Sequence, residues 1–220
     1  MSSPDIRDDA PGTSLFPQFA GLRELVEPEV RGLTDAQLDW SSDRWEWSRW
    51  SIRQQVSHIA NVVPSWLLGR WRDQLFPEGV SSLGSAGEYV HSAKGSWLDE
   101  ATYPTMGDVL QAIGRGSDLA GRVLAAETAG SLRAKEVPRP DTPPHWRQFI
   151  QAHPTGVRYD ESQAGFTYLT LEATFRHLYY EVVTHLYNVQ RLKRAQGLTA
   201  VVELPEEGYW TLPDWDRSEP

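Results

Sequence analysis

The chain contains no cysteine in its 220 residues. Disulfide bonds, thiolate metal ligands and cysteine nucleophiles are therefore excluded. If the protein carries out thiol chemistry, the thiol must come from a substrate. A metal site could use only histidine, aspartate, glutamate and water as ligands, and this set of donors favours zinc, nickel, iron or manganese.

The sequence also lacks long apolar runs and long basic runs. No apolar stretch approaches the roughly 20 residues that span a bilayer, and the longest basic block is RLKR at residues 191–194, in a chain of net charge −9. We therefore expect neither a membrane nor a nucleic acid as a partner. The segment MSSPDIRDDAPG is polar and acidic, unlike a signal peptide, so we expect a cytoplasmic protein.

Apolar residues recur at helical spacing in four stretches. These are residues 16–31, 51–72, 105–126 and 170–197. The connections at 76–104 and 129–165 are long and rich in turn-forming residues. We predict short helical pieces at most in the first, and an irregular second connection in which PHWRQFIQAH, residues 144–153, could form a short helix. The pattern indicates an all-α fold, a four-helix bundle.

The composition outside these stretches predicts the domain organisation. Residues 1–13 are typical of a disordered leader, and residues 14–198 form one bundle domain. Residues 199–220 contain six acidic side chains and one arginine. We expect this acidic tail to be an irregular extension that packs on the bundle through its aromatic side chains.

The fourth stretch places an acid and a histidine on the apolar side of one helix. At about 100° per residue, His185 falls within the leucine and valine stripe, and Glu181 lies one turn earlier. Burying a charge is costly unless it is paired or bound to metal. His177 lies a further turn back and drifts toward the rim of the core. Because exposed helix contacts often have the same i, i+4 spacing, spacing alone leaves both interpretations open.

The second stretch contributes His58 at the edge of its apolar face. Its neighbours on that face include Ser65 and Gly69, which leave room for a ligand or a water. Taken alone, His58 is better explained by a hydrogen-bonded core histidine than by a metal ligand.

Two separated motifs resemble the DinB/YfiT-like metalloenzyme superfamily. WSIRQQVSHIA, residues 50–60, is similar to the Trp-Ser…His signature that opens the second helix of that family. EVVTHLYNVQRLKRAQG, residues 181–197, is similar to its last-helix pair with a following glycine. The resemblance implies that His58, Glu181 and His185 bind one divalent ion. It also implies an up-down-down-up bundle with a long crossover between helices 2 and 3.

The His-Glu-His set is similar to that of the mycothiol-dependent maleylpyruvate isomerases of the same superfamily. Asn188 stands where those enzymes have an aspartate. The resemblance implies a small-molecule substrate, a low-molecular-weight thiol as co-substrate, and a homodimer. Zinc is the expected ion, with nickel, iron or manganese as alternatives.

We therefore predict a metal-dependent enzyme, a thiol S-transferase or a thiol-dependent isomerase or hydrolase. His177, Gln55 and Asn188 are candidates for the pocket or for hydrogen bonds to the ligands. Arg176 is a candidate to bind a substrate carboxylate. The alternative is a non-catalytic helical binding or stress protein with a structural or vestigial metal site. An iron oxygenase with two histidines and one carboxylate shares the same ligand types.

Overall fold

A computed structural model describes residues 6–140, 150–159 and 166–220. In these residues the chain is mostly helical, as predicted. The helices are α1 (Leu22–Val30), α2 (Asp35–Leu38), α3 (Ile52–Pro64), α4 (Arg72–Leu75), α5 (Met106–Ala126), α6 (Ala129–Ala134) and α7 (Leu171–Ala195). Shorter helical turns are Gly12–Ser14, Pro17–Gly21, Glu46–Ser48, Ser65–Arg70, Ser81–Gly87 and Tyr209–Thr211.

The long helices begin where hydroxyl side chains can satisfy their first free N–H groups. Ser51 caps α3 in a capping box with Gln54, and Thr105 caps α5 in a capping box with Asp108. Thr170 accepts a hydrogen bond from the backbone N–H of Ala173 at the start of α7. The starts predicted at residues 51, 105 and 170 are therefore confirmed. None of the helices in the described residues combines the length and the apolar character needed to cross a membrane.

A small antiparallel sheet corrects the all-α prediction. Its strands are β1 (Glu136–Pro140), β2 (Val157–Tyr159) and β3 (Phe166–Thr170), in the order β1-β3-β2. Pro138 and Pro140, two of the four prolines that suggested a loop, lie on β1, an edge strand, where a missing N–H does not interrupt the sheet. The segment 129–165 also contains α6, a helix that was not predicted at its start. Residues 141–149 and 160–165 of this segment lie outside the described residues.

The core lies where α3 packs between α5 and α7. The predicted apolar faces of these helices are buried. On α3 they comprise Ile52, Val56, Ile59 and Val63, and on α7 Leu171, Leu178, Val182, Val189 and Leu192. Packing of these two faces against each other brings the middle of α3 next to the middle of α7.

Residues from the predicted leader lie close to the junction of α5 and α6. The backbone N–H of Gly12 donates to the carbonyl of Glu127, and that of Ala129 donates to the carbonyl of Ala10. These bonds give residues 10–12 defined backbone partners. Residues 1–5 of the predicted leader are outside the described residues.

A buried ion pair joins α1, α7 and the segment after α7. Glu29 is fully buried and lies 2.5 Å from Lys193 Nζ. Its carboxylate also accepts hydrogen bonds from Gln190 and from the backbone N–H groups of Val201 and Val202, each at 2.8 Å. Burial alone would raise the pKa of Glu29, but the hydrogen bonds from Lys193 and these other donors lower it below its ordinary value.

Candidate metal centre

The packing of α3 on α7 brings His58, Glu181 and His185 together. Glu181 Oε2 lies 3.4 Å from His58 Nε2 and 3.3 Å from His185 Nε2. One donor atom from each of the three residues lies within 4.8 Å of the others. The three side chains are 15–17 % exposed, so the cluster is neither sealed in the core nor on the open surface.

Each histidine is oriented by an acceptor on its other ring nitrogen. His58 Nδ1 donates to the backbone carbonyl of Ser96, in the connection before α5. His185 Nδ1 donates to Gln55 Oε1 at 2.5 Å, and Gln55 Nε2 faces the carbonyl of Trp47. Both imidazoles therefore carry their proton on Nδ1 when neutral. This leaves the Nε2 lone pairs directed at the carboxylate, as is usual for histidines that bind metal.

The two distances from Glu181 Oε2 to the imidazole nitrogens fit a shared metal ion. When both imidazoles are neutral, the two Nε2 atoms and the carboxylate oxygen are all acceptors, and a metal ion or a proton among them would satisfy their lone pairs. Ligand atoms about 2.0–2.1 Å from a tetrahedral zinc ion lie roughly 3.3 Å from one another. The two separations from Glu181 Oε2 match that value.

The electrostatics of the cluster favour the protonation states that ligands need. Burial alone would raise the pKa of Glu181, but the closeness of its carboxylate to the imidazoles of His185, His58 and His177 lowers it well below its ordinary value. Burial, together with the neighbouring imidazole of His58, lowers the pKa of His185. An ionised carboxylate and a neutral imidazole result.

Comparison with protein families matches residues 18–189 to the model described as the DinB superfamily. This range covers most of the chain and contains the three clustered side chains. The chain belongs to the DinB superfamily. A search of curated proteins and a search of solved structures gave no match. The DinB match ends before the acidic tail begins, so residues 199–220 lie outside the matched region.

Aromatic rings surround the histidines of this DinB-type cluster. The ring of Trp50 stacks on His185, with centroids 5.7 Å apart and planes 13° apart, and lies 5.4 Å from the ring of His58. Trp97 meets the ring of Trp50 edge-on at 5.4 Å. The two histidines thus have an indole on one side. The Trp-Ser motif locates Trp50, but no local pattern connects Trp97 or the Ser96 carbonyl with the cluster.

His177 is buried beside the carboxylate, and the prediction that it lies toward the rim is wrong. It is 4 % exposed, and its Nδ1 lies 3.9 Å from Glu181 Oε1. Helical spacing correctly predicted the position of His177 around the axis of α7. It could not predict that the C-terminal segment covers this side of the helix. The hydroxyl of Tyr209 lies 2.5 Å from His177 Nδ1 and 3.0 Å from His153 Nε2.

The remaining candidates have other partners. Asn188 accepts a hydrogen bond of 2.6 Å from the buried Arg191. Arg176 pairs with Glu172 at 2.7 Å and donates to the carbonyl of Thr155. Both side chains therefore hold the fold around α7 together, and the guanidinium of Arg176 is already paired with an acid.

Proposed function

We propose that this protein is a metal-dependent enzyme in which His58, Glu181 and His185 hold one divalent ion. The observation that carries the proposal is the convergence of one ligand atom from each of three residues within 4.8 Å of the others, with both Nδ1 atoms already used as donors. Two nitrogens and one oxygen favour zinc, with nickel, iron or manganese as alternatives.

Three protein ligands leave room for a substrate atom. When bound in such a site, a divalent ion lowers the pKa of a water or a thiol, or polarises a carbonyl. The chain supplies the orientation: Ser96 and Gln55 fix the two imidazole rings, and Trp50 covers them with an apolar surface. The partial exposure of the ligands gives a small molecule access.

We propose thiol S-transfer, or a thiol-dependent isomerisation or hydrolysis, as the class of reaction, with a low-molecular-weight thiol as co-substrate. The similarity of the His-Glu-His set to the mycothiol-dependent maleylpyruvate isomerases supports this class. The lack of cysteine is compatible with it, because the chain offers no thiolate that would compete with the co-substrate. We also propose the up-down-down-up helix order of the family, with residues 76–104 as the crossover.

Cobalt substitution tests both the metal site and the thiol co-substrate. Co²⁺ replaces zinc in tetrahedral sites, and its visible absorption reports the ligands. We expect one Co²⁺ per chain, and a sulfur-to-cobalt charge-transfer band in the near ultraviolet when a small thiol such as 2-mercaptoethanol is added. Because the chain has no cysteine, the band can arise only from the added thiol.

Each result has a distinct meaning. Protein that binds no Co²⁺ or Zn²⁺ would contradict the metal site. Bound cobalt that shows no charge-transfer band with any small thiol would contradict the thiol co-substrate and leave the metal site standing. A site that only supports the fold would instead show a large fall in melting temperature on chelation and no response to thiol.

A further inference from the structure

A hydrogen-bonded cluster beside the metal centre is built partly from the C-terminal segment. Tyr209 is 1 % exposed and His153 is 7 % exposed. The hydroxyl of Tyr209 forms hydrogen bonds with ring nitrogens of both His177 and His153. Tyr209 lies beyond the region that matches the DinB model, and it comes within reach of the one carboxylate ligand through a single intervening ring.

The segment is held so that Tyr209 enters the core. Gly208 has φ +108, a conformation that favours glycine. A Cβ on Gly208 would lie 3.3 Å from Thr184 Oγ1 and 3.4 Å from the carbonyl of Tyr180. The same close approach lets Thr184 Oγ1 accept a hydrogen bond from the backbone N–H of Tyr209 at 3.0 Å. The ring of Tyr209 is thus fixed against α7.

The protons of the cluster have one favoured arrangement. Burial raises the pKa of Tyr209 well above its ordinary value, so its hydroxyl has one proton to donate. Among the described residues, His153 Nδ1 is buried with no hydrogen-bond partner, and an unpaired lone pair is less costly there than an unpaired N–H. His153 Nε2 therefore donates to Tyr209, and Tyr209 donates to His177 Nδ1.

This arrangement determines what His177 presents to the metal ligand. Glu181 directs Oε2 at His58 and His185, and its other oxygen, Oε1, faces His177 Nδ1 at 3.9 Å. With Nδ1 accepting from Tyr209, His177 has no proton on that nitrogen to offer the carboxylate. Without the hydroxyl, Nδ1 could carry the proton and donate to Oε1. Because these atoms are 3.9 Å apart, forming that bond would draw the carboxylate toward His177 and move Oε2 away from the ion.

We propose that Tyr209 is a positioning residue for the metal centre, acting through His177 to leave the carboxylate of Glu181 free to serve as a ligand. The inference rests on the proposed metal site. It adds to that site a residue from the C-terminal segment, outside the matched region of the family. It also gives the buried His153–Tyr209–His177 cluster a function.

The Tyr209→Phe variant tests the inference. The expected result is a Zn²⁺ dissociation constant raised about tenfold, the lower end of what is lost when a group supporting a ligand is removed. The visible bands of the Co²⁺-loaded protein should also shift. Tyr187→Phe is the matched control, because it too removes a hydroxyl that links α7 to the C-terminal segment, here through Glu219 at 3.2 Å. It should leave both readouts unchanged.

A second variant separates positioning from general damage. In a His177→Phe background there is no ring nitrogen to donate to Glu181, so adding Tyr209→Phe should have no further effect on the dissociation constant. A folded Tyr209→Phe protein with the Zn²⁺ affinity and Co²⁺ spectrum of the wild type would overturn the inference. So would an undiminished effect of Tyr209→Phe in the His177→Phe background.

A measurement on the unmodified protein keeps the inference testable if Tyr209→Phe does not fold. Long-range ¹H–¹⁵N correlation spectra of protein labelled at histidine distinguish the two ring tautomers. We expect His177 to carry its proton on Nε2 in the Zn²⁺-loaded wild type, and a proton on Nδ1 would overturn the inference. Failure of the wild type to bind Zn²⁺ or Co²⁺ would instead contradict the proposed function.

Discussion

Replacing His185 with alanine is expected to abolish metal binding while the protein remains folded. The change removes one of three ligands, so the Zn²⁺ dissociation constant should rise by more than about a hundredfold, beyond the loss caused by removing a supporting hydrogen bond. Gln55 keeps water as a partner because the site is partly exposed. Elemental analysis of protein purified without chelator should find one divalent ion in the wild type and only background in the variant.

His91→Ala is a suitable control for this experiment. His91 is exposed, and its ring contacts Asn61 rather than Glu181. The control should retain the metal content of the wild type, and circular dichroism should show both variants to be folded. Equal metal content in the wild type and in His185→Ala would remove the metal-site hypothesis altogether.

Replacing Glu29 with glutamine is expected to cause the largest loss of stability. The amide retains an acceptor for Val201 and Val202, but it leaves the buried ammonium of Lys193 without a counter-charge. Removing one partner of a buried pair costs about 3 kcal/mol or more of unfolding free energy. Urea unfolding at pH 7 measures this loss. Lys193→Met should cost less, because Glu29 keeps its other donors.

A control variant on the same helix and the pH dependence of stability both test the Glu29 prediction. Glu27→Gln removes an ion pair with Arg23 and Arg31 at the surface and should leave stability unchanged.

The contribution of Glu29 to the free energy of unfolding depends on pH. Because the folded pKa of Glu29 lies below the ordinary 4.5, this contribution is fully present above pH 4.5 and is lost as the pH falls through the folded pKa. The stability difference between wild type and Glu29→Gln should therefore narrow below pH 4.5. A constant difference down to pH 3 would contradict this assignment.

The grouping of His58, Glu181 and His185 was implied by the resemblance to the DinB/YfiT-like superfamily, and local periodicity supported it. Helical spacing placed Glu181 and His185 together on the buried side of one helix, and the Trp-Ser motif located His58 on another. The packing of two apolar faces then brought the three side chains together. The role of Gln55 beside the cluster could also be predicted, since Gln55 lies one turn before His58 on the same helix.

Features that depend on long-range contacts could not be predicted in this way. The acceptor for His58 is a backbone carbonyl at Ser96, and any residue type would supply one. The partners of Glu29 lie on α7 and beyond it, and nothing in the local pattern pairs them. The burial of His177 depends on Tyr209, which follows it by 32 residues.

The sheet was missed for a different reason. Pro138 and Pro140 are turn-forming residues in most contexts, and their position on an edge strand becomes clear only when β3 is seen as the central strand. The strands are also short, with β2 only three residues long. Periodicity over so few residues does not distinguish a strand from a loop.

No linker residue separates β3 from α7. Thr170 is both the last residue of the central strand and the cap of the helix that bears Glu181 and His185. One inserted residue would rotate everything after it by about 100° and turn both side chains away from His58. Insertions and deletions among relatives that keep this centre must therefore fall outside residues 166–185.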